Sequence, residues 1–209
     1  MWLLLLHLAQ ADEGPLQEFE LIENPYLQGP LELQLTAQGQ LFTSGRAEGT
    51  LLAELGLVEG TQIGVAWSGD SFELEAGVLL FRSDRTRVAL LGGVEWSNWT
   101  YDGVETLLDV SFGTGPIEFV AEAGVEFGED IEPTFGLGVM GPAGALVPFV
   151  EGRISPFGEG GGAGGLRYHP VERVELGLAV RAERQEEAWL TGVGGQLTVE
   201  LGGKEDDDE

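Results

Sequence analysis

From Leu31 onward the chain alternates apolar and polar side chains with a period of two. The clearest run is Ile117–Phe127. Its odd positions are Ile117, Phe119, Ala121, Ala123, Val125 and Phe127, and its even positions are Glu118, Val120, Glu122, Gly124 and Glu126. Successive side chains on a strand point to opposite faces, so this segment has one oily face and one mostly acidic face. The same device recurs in segments parted by turn residues. They are Leu31–Phe42, Gly49–Leu57, Gln62–Ser68, Phe72–Arg82, Val88–Asn98 and Val104–Phe112 before the clearest run. After it come Phe135–Met140, Leu146–Ile154, a short segment ending near Tyr168, Val174–Arg184 and Ala188–Leu201. That predicts about twelve strands, most of them near the 9–11 residues a tilted spanning strand needs. Residues 158–165, GEGGGAGG, read as a flexible loop, and His169-Pro170 as a turn. No stretch has helical periodicity.

Alternation alone leaves the direction of the sheet open. Apolar-in with polar-out describes a soluble sandwich or a lipocalin-like barrel; apolar-out with polar-in describes a membrane barrel. Aromatic placement favours the second. An even strand number returns both ends of the domain to one side, so odd strands end and even strands begin at the far rim. Trp67, Trp96 and Phe127 end odd strands on the apolar face, and Phe72, Phe135 and Trp189 begin even strands on it. All six gather near one rim, as an aromatic girdle at a membrane–water interface does. The polar face favours it too. It is made of Glu, Gly, Thr, Gln and Ser, whereas exposed sheets commonly guard their edges with Lys. The one lysine of the chain, Lys204, lies in the tail.

Residues 1–11, MWLLLLHLAQA, hold a short apolar run followed by Ala9-Gln10-Ala11, the small-x-small form of a cleavage site. They read as an export signal cut before Asp12, although no Lys or Arg precedes the run. An apolar strand or short helix packed on the domain is the alternative. Residues 12–30 form an acidic leader punctuated by Pro15, Pro25 and Pro30, placed at the barrel mouth. Residues 31–201 form the barrel, and residues 202–209 an acidic, solvated tail.

Charge narrows the function classes. The chain carries 36 acids against 10 bases, a formal charge of −26, which argues against nucleic acid as a partner. It should attract cations and repel anions. It has no cysteine, so disulfides, thiolate metal sites and cysteine nucleophiles are excluded.

The main candidate constellation is the inward set Glu32, Glu54, Glu73, Glu75, Glu95, Glu105, Asp109, Glu118, Glu122, Glu126, Glu151, Glu175, Glu183 and Glu200, faced by Arg153 and Arg181. A pore lined by carboxylates favours cations. The rival reading is a plugged interior, narrowed by Leu52, Leu79, Phe81, Leu91, Val120 and Phe149. Carboxylates spaced by two are what a strand produces, and they do not by themselves indicate acid–base catalysis or a Ca²⁺ site. His169 reads as a turn residue rather than a base. The run 160–165 lacks the Lys-Ser/Thr of a phosphate loop. No catalytic residue, metal site or cofactor is expected. Asn98-Trp99-Thr100 fits the short glycosylation pattern and carries little information.

Over about Leu31–Leu201 the chain resembles a bacterial outer-membrane β-barrel, an architectural likeness without a specific family. Such barrels usually end in an alternating strand closed by an aromatic residue. Leu197, Val199 and Leu201 supply the alternation here, but Gly202-Gly203 and the acidic tail stand where the aromatic would be. The resemblance implies a closed, up-and-down antiparallel barrel in the outer membrane, with the lipid bilayer as its partner. The function expected is a passive pore for small cations or cationic solutes, with a closed anchoring barrel or an exported soluble binding protein as alternatives. Closure requires the first strand, near Leu33, to hydrogen-bond the last, near Leu197.

Overall fold

The computed structural model of the chain describes residues 27–113, 116–128, 130–141, 144–156, 160–171, 173–185 and 188–202. The expected export signal, most of the expected leader and the tail beyond Gly202 lie outside the described residues. Twelve strands form one closed antiparallel barrel. They are β1 (Glu32–Phe42), β2 (Ala47–Val58), β3 (Thr61–Ser68), β4 (Ser71–Arg82), β5 (Thr86–Ser97), β6 (Thr100–Gly113), β7 (Glu118–Phe127), β8 (Ile131–Met140), β9 (Leu146–Ile154), β10 (Gly160–Val171), β11 (Val174–Gln185) and β12 (Ala188–Gly202). Each strand pairs with its neighbours in sequence, and β1 closes on β12 with Leu33 opposite Leu201 and Ala37 opposite Leu197. Closure leaves no sheet edge with unpaired N–H and C=O groups.

The parity of the sheet is that of a membrane barrel. Leu137, Val150, Leu178 and Val193 are 70%, 59%, 62% and 54% exposed on the outside. Gln34, Glu54, Asp109, Glu122, Glu151 and Glu175 are buried inside. In water, each such outward leucine or valine would forgo roughly 1.5–3 kcal/mol of burial. A lipid surround removes that penalty. The soluble alternative, with apolar side chains gathered inside, is not the arrangement that forms.

Three local features depart from simple alternation. The first is the glycine run. Gly160–Gly165 is strand rather than loop, paired to β9 on one side and β11 on the other. Glycine is normally unfavourable in strands because it packs nothing. Here the backbones crowd: a Cβ at Gly165 would overlap the Leu178 carbonyl, and one at Gly160 would lie 2.9 Å from the Arg153 carbonyl oxygen. The second is His169-Pro170, which belongs to the end of β10, where the register with β11 shifts between Tyr168 and Val171. Proline is tolerated at such an irregularity, where a ladder hydrogen bond is already missing.

The third concerns Phe81. Strict alternation along β4 points it inward, but it is 53% exposed. The register of β4 with β5 shifts between Leu79 and Phe81, and the extra residue of a bulge reverses the parity of the residues beyond it. At the other rim, the β5–β6 connection is made by Asn98 and Trp99, both at positive φ (51° and 66°). Tight hairpins require this of both central residues.

The outward parity generates a stability test. Leu178 sits near the middle of β11 on the outer face. Leu178→Arg is expected to destabilise the barrel in lipid vesicles by about 2–4 kcal/mol, the range for a basic residue on the lipid face at the midplane. Urea unfolding of the reconstituted protein measures it. An effect near zero would place Leu178 in water instead.

Candidate functional site: the charged interior

The interior walls differ in chemistry. Across β2 to β8 one hydrogen-bonding row carries Glu54, Gly64, Glu75, Gly93, Glu105, Glu126 and Glu132 in successive strands. Glu73 stands opposite Glu95 one step nearer the far rim. The two glycines make room for the carboxylates beside them. A Cβ at Gly93 would overlap the Glu73 carboxylate, and one at Gly64 would lie 3.0 Å from Glu75 Oε2 and 3.3 Å from Glu54 Cγ. Glycines at these places therefore let long acidic side chains lie along the wall.

A second row holds Asp109, Glu122, Gly136, Arg153, Gly161 and Glu183 across β6 to β11. Arg153 is its centre. Its guanidinium donates to Glu105 and, at 3.3 Å, to Thr134 Oγ1, while its Nε lies 3.3 Å from Glu122 Oε1. Gly136 and Gly161 flank it in the row and leave it space. Asp109 faces Glu122 across the β6–β7 register, is fully buried, and its carboxylate oxygens accept no hydrogen bond among the described residues. Arg181 pairs with Glu183 at 2.6 Å. Glu118, at the rim that carries the termini, stands opposite Met140.

Two inward cations lie outside the expected set: Arg87, opposite the buried Ser111, and Arg167. Arg167, on β10, is among the most buried residues in the barrel, at 1% exposed. It pairs with the equally buried Glu175 and lies over the Phe149 ring, 4.8 Å from its centroid. His169 Nε2 is 3.3 Å from the other carboxylate oxygen of Glu175. Reading residues 158–165 as a loop obscured the parity of β10 and hid the inward direction of Arg167. Beside this pair, Val120, Met140, Val147, Phe149, Ala163 and Ala179 form an apolar cluster inside the barrel. It occupies the half nearer the termini.

The wall made by β12, β1, β2 and β3 is different again. Gln34 Nε2 and Gln62 Nε2 donate to the two oxygens of Glu54 at 3.2 and 2.6 Å. Thr36 meets Thr198 at 3.1 Å, and Gln38 donates to Gln196 at 3.2 Å. These amides and hydroxyls, which alternation shows only as polar positions, satisfy one another across strands.

Five of the six aromatics predicted to cluster, Trp67, Phe72, Trp96, Phe127 and Trp189, lie on the outer face within one residue of a strand end at the far rim; Phe135 also faces outward but sits in mid-strand opposite Ala123, because β8 begins at Ile131 rather than at Phe135. Trp67 opposes Phe72, Phe72 opposes Trp96, and Trp96 opposes Tyr101. The Phe72 and Trp96 rings are 5.8 Å apart at a tilt of 42°. Phe127, Phe135 and Trp189 are 46%, 48% and 65% exposed. A second set was not foreseen: Phe81, Phe112, Phe119 and Tyr168 face outward toward the opposite rim, with Phe112 directly opposite Phe119.

Closed antiparallel topology, twelve strands, an apolar exterior and a charged interior together point to one class of solved structure. Its fold is that of an outer-membrane porin. The barrel is similar to the KdgM porin, with a TM-score of 0.68 and 10% identity over 81% of this chain and 99% of that one. It is similar to the NanC porin at a TM-score of 0.66 and 10% identity, over 80% of this chain and the whole of that one. The outer membrane protein Omp33 of Acinetobacter baumannii matches at 0.56 and 12% identity, over 83% and 100%. No family model and no curated protein sequence matches the chain.

The buried pair in this porin fold yields a prediction. Arg167→Met should destabilise the barrel by about 3–5 kcal/mol, because it leaves the Glu175 carboxylate in place without its guanidinium. Adding Glu175→Gln should restore most of the loss. Urea unfolding of the two variants in the same lipid measures both effects. A single variant as stable as its parent would mean that water already solvates Glu175.

Proposed function

We propose that the chain is a passive outer-membrane pore preferring small cations or cationic solutes. The observation that carries this reading is the carboxylate row from Glu54 to Glu132, with Glu73 and Glu95 beside it. Low-dielectric walls focus the field of such a row into the passage, raising local cation concentration and opposing anions. Arg153 interrupts the row at Glu105 and also pairs with Glu122 of the neighbouring row. Two further interior pairs, Arg167–Glu175 and Arg181–Glu183, lie on β10 and β11, away from the acidic wall. The outward aromatic sets at the two rims mark, in this reading, the two membrane–water interfaces.

A second reading rests on the apolar cluster around Phe149. Side chains fill part of the half nearer the termini, as they would in a closed barrel serving as anchor or scaffold.

Single-channel recording in a planar bilayer under a salt gradient separates the two readings. The pore reading expects a reversal potential of cation-selective sign. Replacing Glu73, Glu95 and Glu126 together by Gln should lower the cation-to-anion permeability ratio severalfold. Anion selectivity in the parent would refute the charge argument, and absence of any conductance would favour the closed barrel.

A further inference from the structure

The chain does not approach its first strand from outside the barrel. Leu27, Gln28 and Gly29 lie within it, against β2, β3 and β4. Gln28 is 5% exposed. Its backbone N–H donates to Gln62 Oε1 at 3.0 Å, and its Nε2 donates to Gln34 Oε1 at 2.8 Å. The Gly29 N–H donates to Glu32 Oε2 at 2.8 Å. The chain then reverses. The Leu31 N–H donates to the Gly56 carbonyl at 2.9 Å, and the Glu32 N–H returns to the Gly29 carbonyl at 3.0 Å. Leu31 takes φ 61° at this reversal. A leucine stays in the left-handed region only where its surroundings hold it there.

The wall has a seat shaped for this segment. Gly56, Gln62 and Gly77 share one register row across β2, β3 and β4. A Cβ at Gly56 would overlap the Gly29 carbonyl oxygen and lie 2.7 Å from that of Gln28. Both obstacles are backbone atoms, which cannot swing aside as a side-chain tip can. A Cβ at Gly77 would lie 3.0 Å from Leu27 Cδ2. The seat and the apolar cluster around Phe149 occupy opposite walls of the same half of the barrel.

We propose that Leu27–Gly29 is an intraluminal strap that narrows the passage at the rim carrying the termini, and that releasing it widens the pore. The proposal rests on the pore reading above. Its logic is autoinhibitory: the strap is held by the hydrogen bonds of Gln28 to Gln62 and Gln34, by that of Gly29 to the Glu32 carboxylate, and by the absence of side chains at two positions. A device so held can leave without breaking a strand ladder.

The absence of native cysteine allows a direct test. Gln28→Cys places a single thiol on the strap of the full chain, and Gly56→Ala adds the smallest side chain that cannot coexist with the seated backbone. Heat-modifiable gel mobility verifies folding of each form. Maleimide labelling is expected to be slow in Gln28→Cys and fast once Gly56→Ala is added. Conductance is expected to rise by roughly twofold or more on release, since a wider constriction passes more ions. Should Gly56→Ala fail to fold, Gln62→Ala removes the acceptor of the Gln28 N–H without adding bulk and is expected to act in the same direction. Gln28→Cys gives up the bond to Gln34 but keeps the backbone bond to Gln62, the Gly29 bond to Glu32 and the glycine seat, so rapid labelling without the second substitution would overturn the seating. Fast labelling with unchanged conductance would overturn the narrowing. Absence of conductance in every form would remove the pore reading and the narrowing with it. That outcome is told apart from an unseated strap because the labelling contrast would persist.

Discussion

A backbone N–H or C=O left without a partner in hydrocarbon costs several kcal/mol, and this constraint governs the architecture. A sheet meets it only by closing. Here the closing pair is β1 with β12, in register from Glu32 opposite Gly202 to Phe42 opposite Gly192. Once closed, every position acquires an inside or an outside, and a slip of one residue would exchange them. The irregularity between Leu79 and Phe81 shows how local that assignment is: one extra residue turns Phe81 from the interior to the exterior.

Closure also creates the interior problem. Carboxylates that point inward must share a confined space, and the walls solve this in different ways. Across β4 to β6 the solution is space, with Gly93 yielding room to Glu73. From β6 to β9 it is a cation, with Arg153 reaching Glu105 and Glu122 from one position. On β1 to β3 it is neutral donors, with Gln34 and Gln62 holding both oxygens of Glu54. The first sets the carboxylates of Glu73 and Glu75 against glycines.

The half of the barrel nearer the termini has another character. The Phe149 cluster fills one wall and the inward-turned Leu27–Gly29 segment lies on the other. The two features differ in how firmly they are built. The cluster belongs to strands paired on both sides, whereas the segment is seated by side-chain hydrogen bonds and a glycine notch.

Much of this was legible in one dimension. A period of two with leucines on one parity and glutamates on the other sets strand type, approximate strand number and the two faces. Aromatic positions at strand ends indicate which face is outside. Those signals are local, because alternation is a property of consecutive residues. What alternation left out is what depends on neighbours across the sheet. Gly160–Gly165 looked like a loop because glycine is a poor strand former, until β9 and β11 were seen to crowd it. Arg167 disappeared with that misreading, and its partner Glu175 looked like one acid among many. The return of Gln28 into the barrel has no periodic signature at all. Its seat combines Gly56, Gln62 and Gly77, which lie far apart in the chain and come into one row only when three strands pair. Alternation along the chain fixes the two faces of the sheet; which interior charges meet, and what lies between them, follows only from strand pairing, because register is a relation between strands.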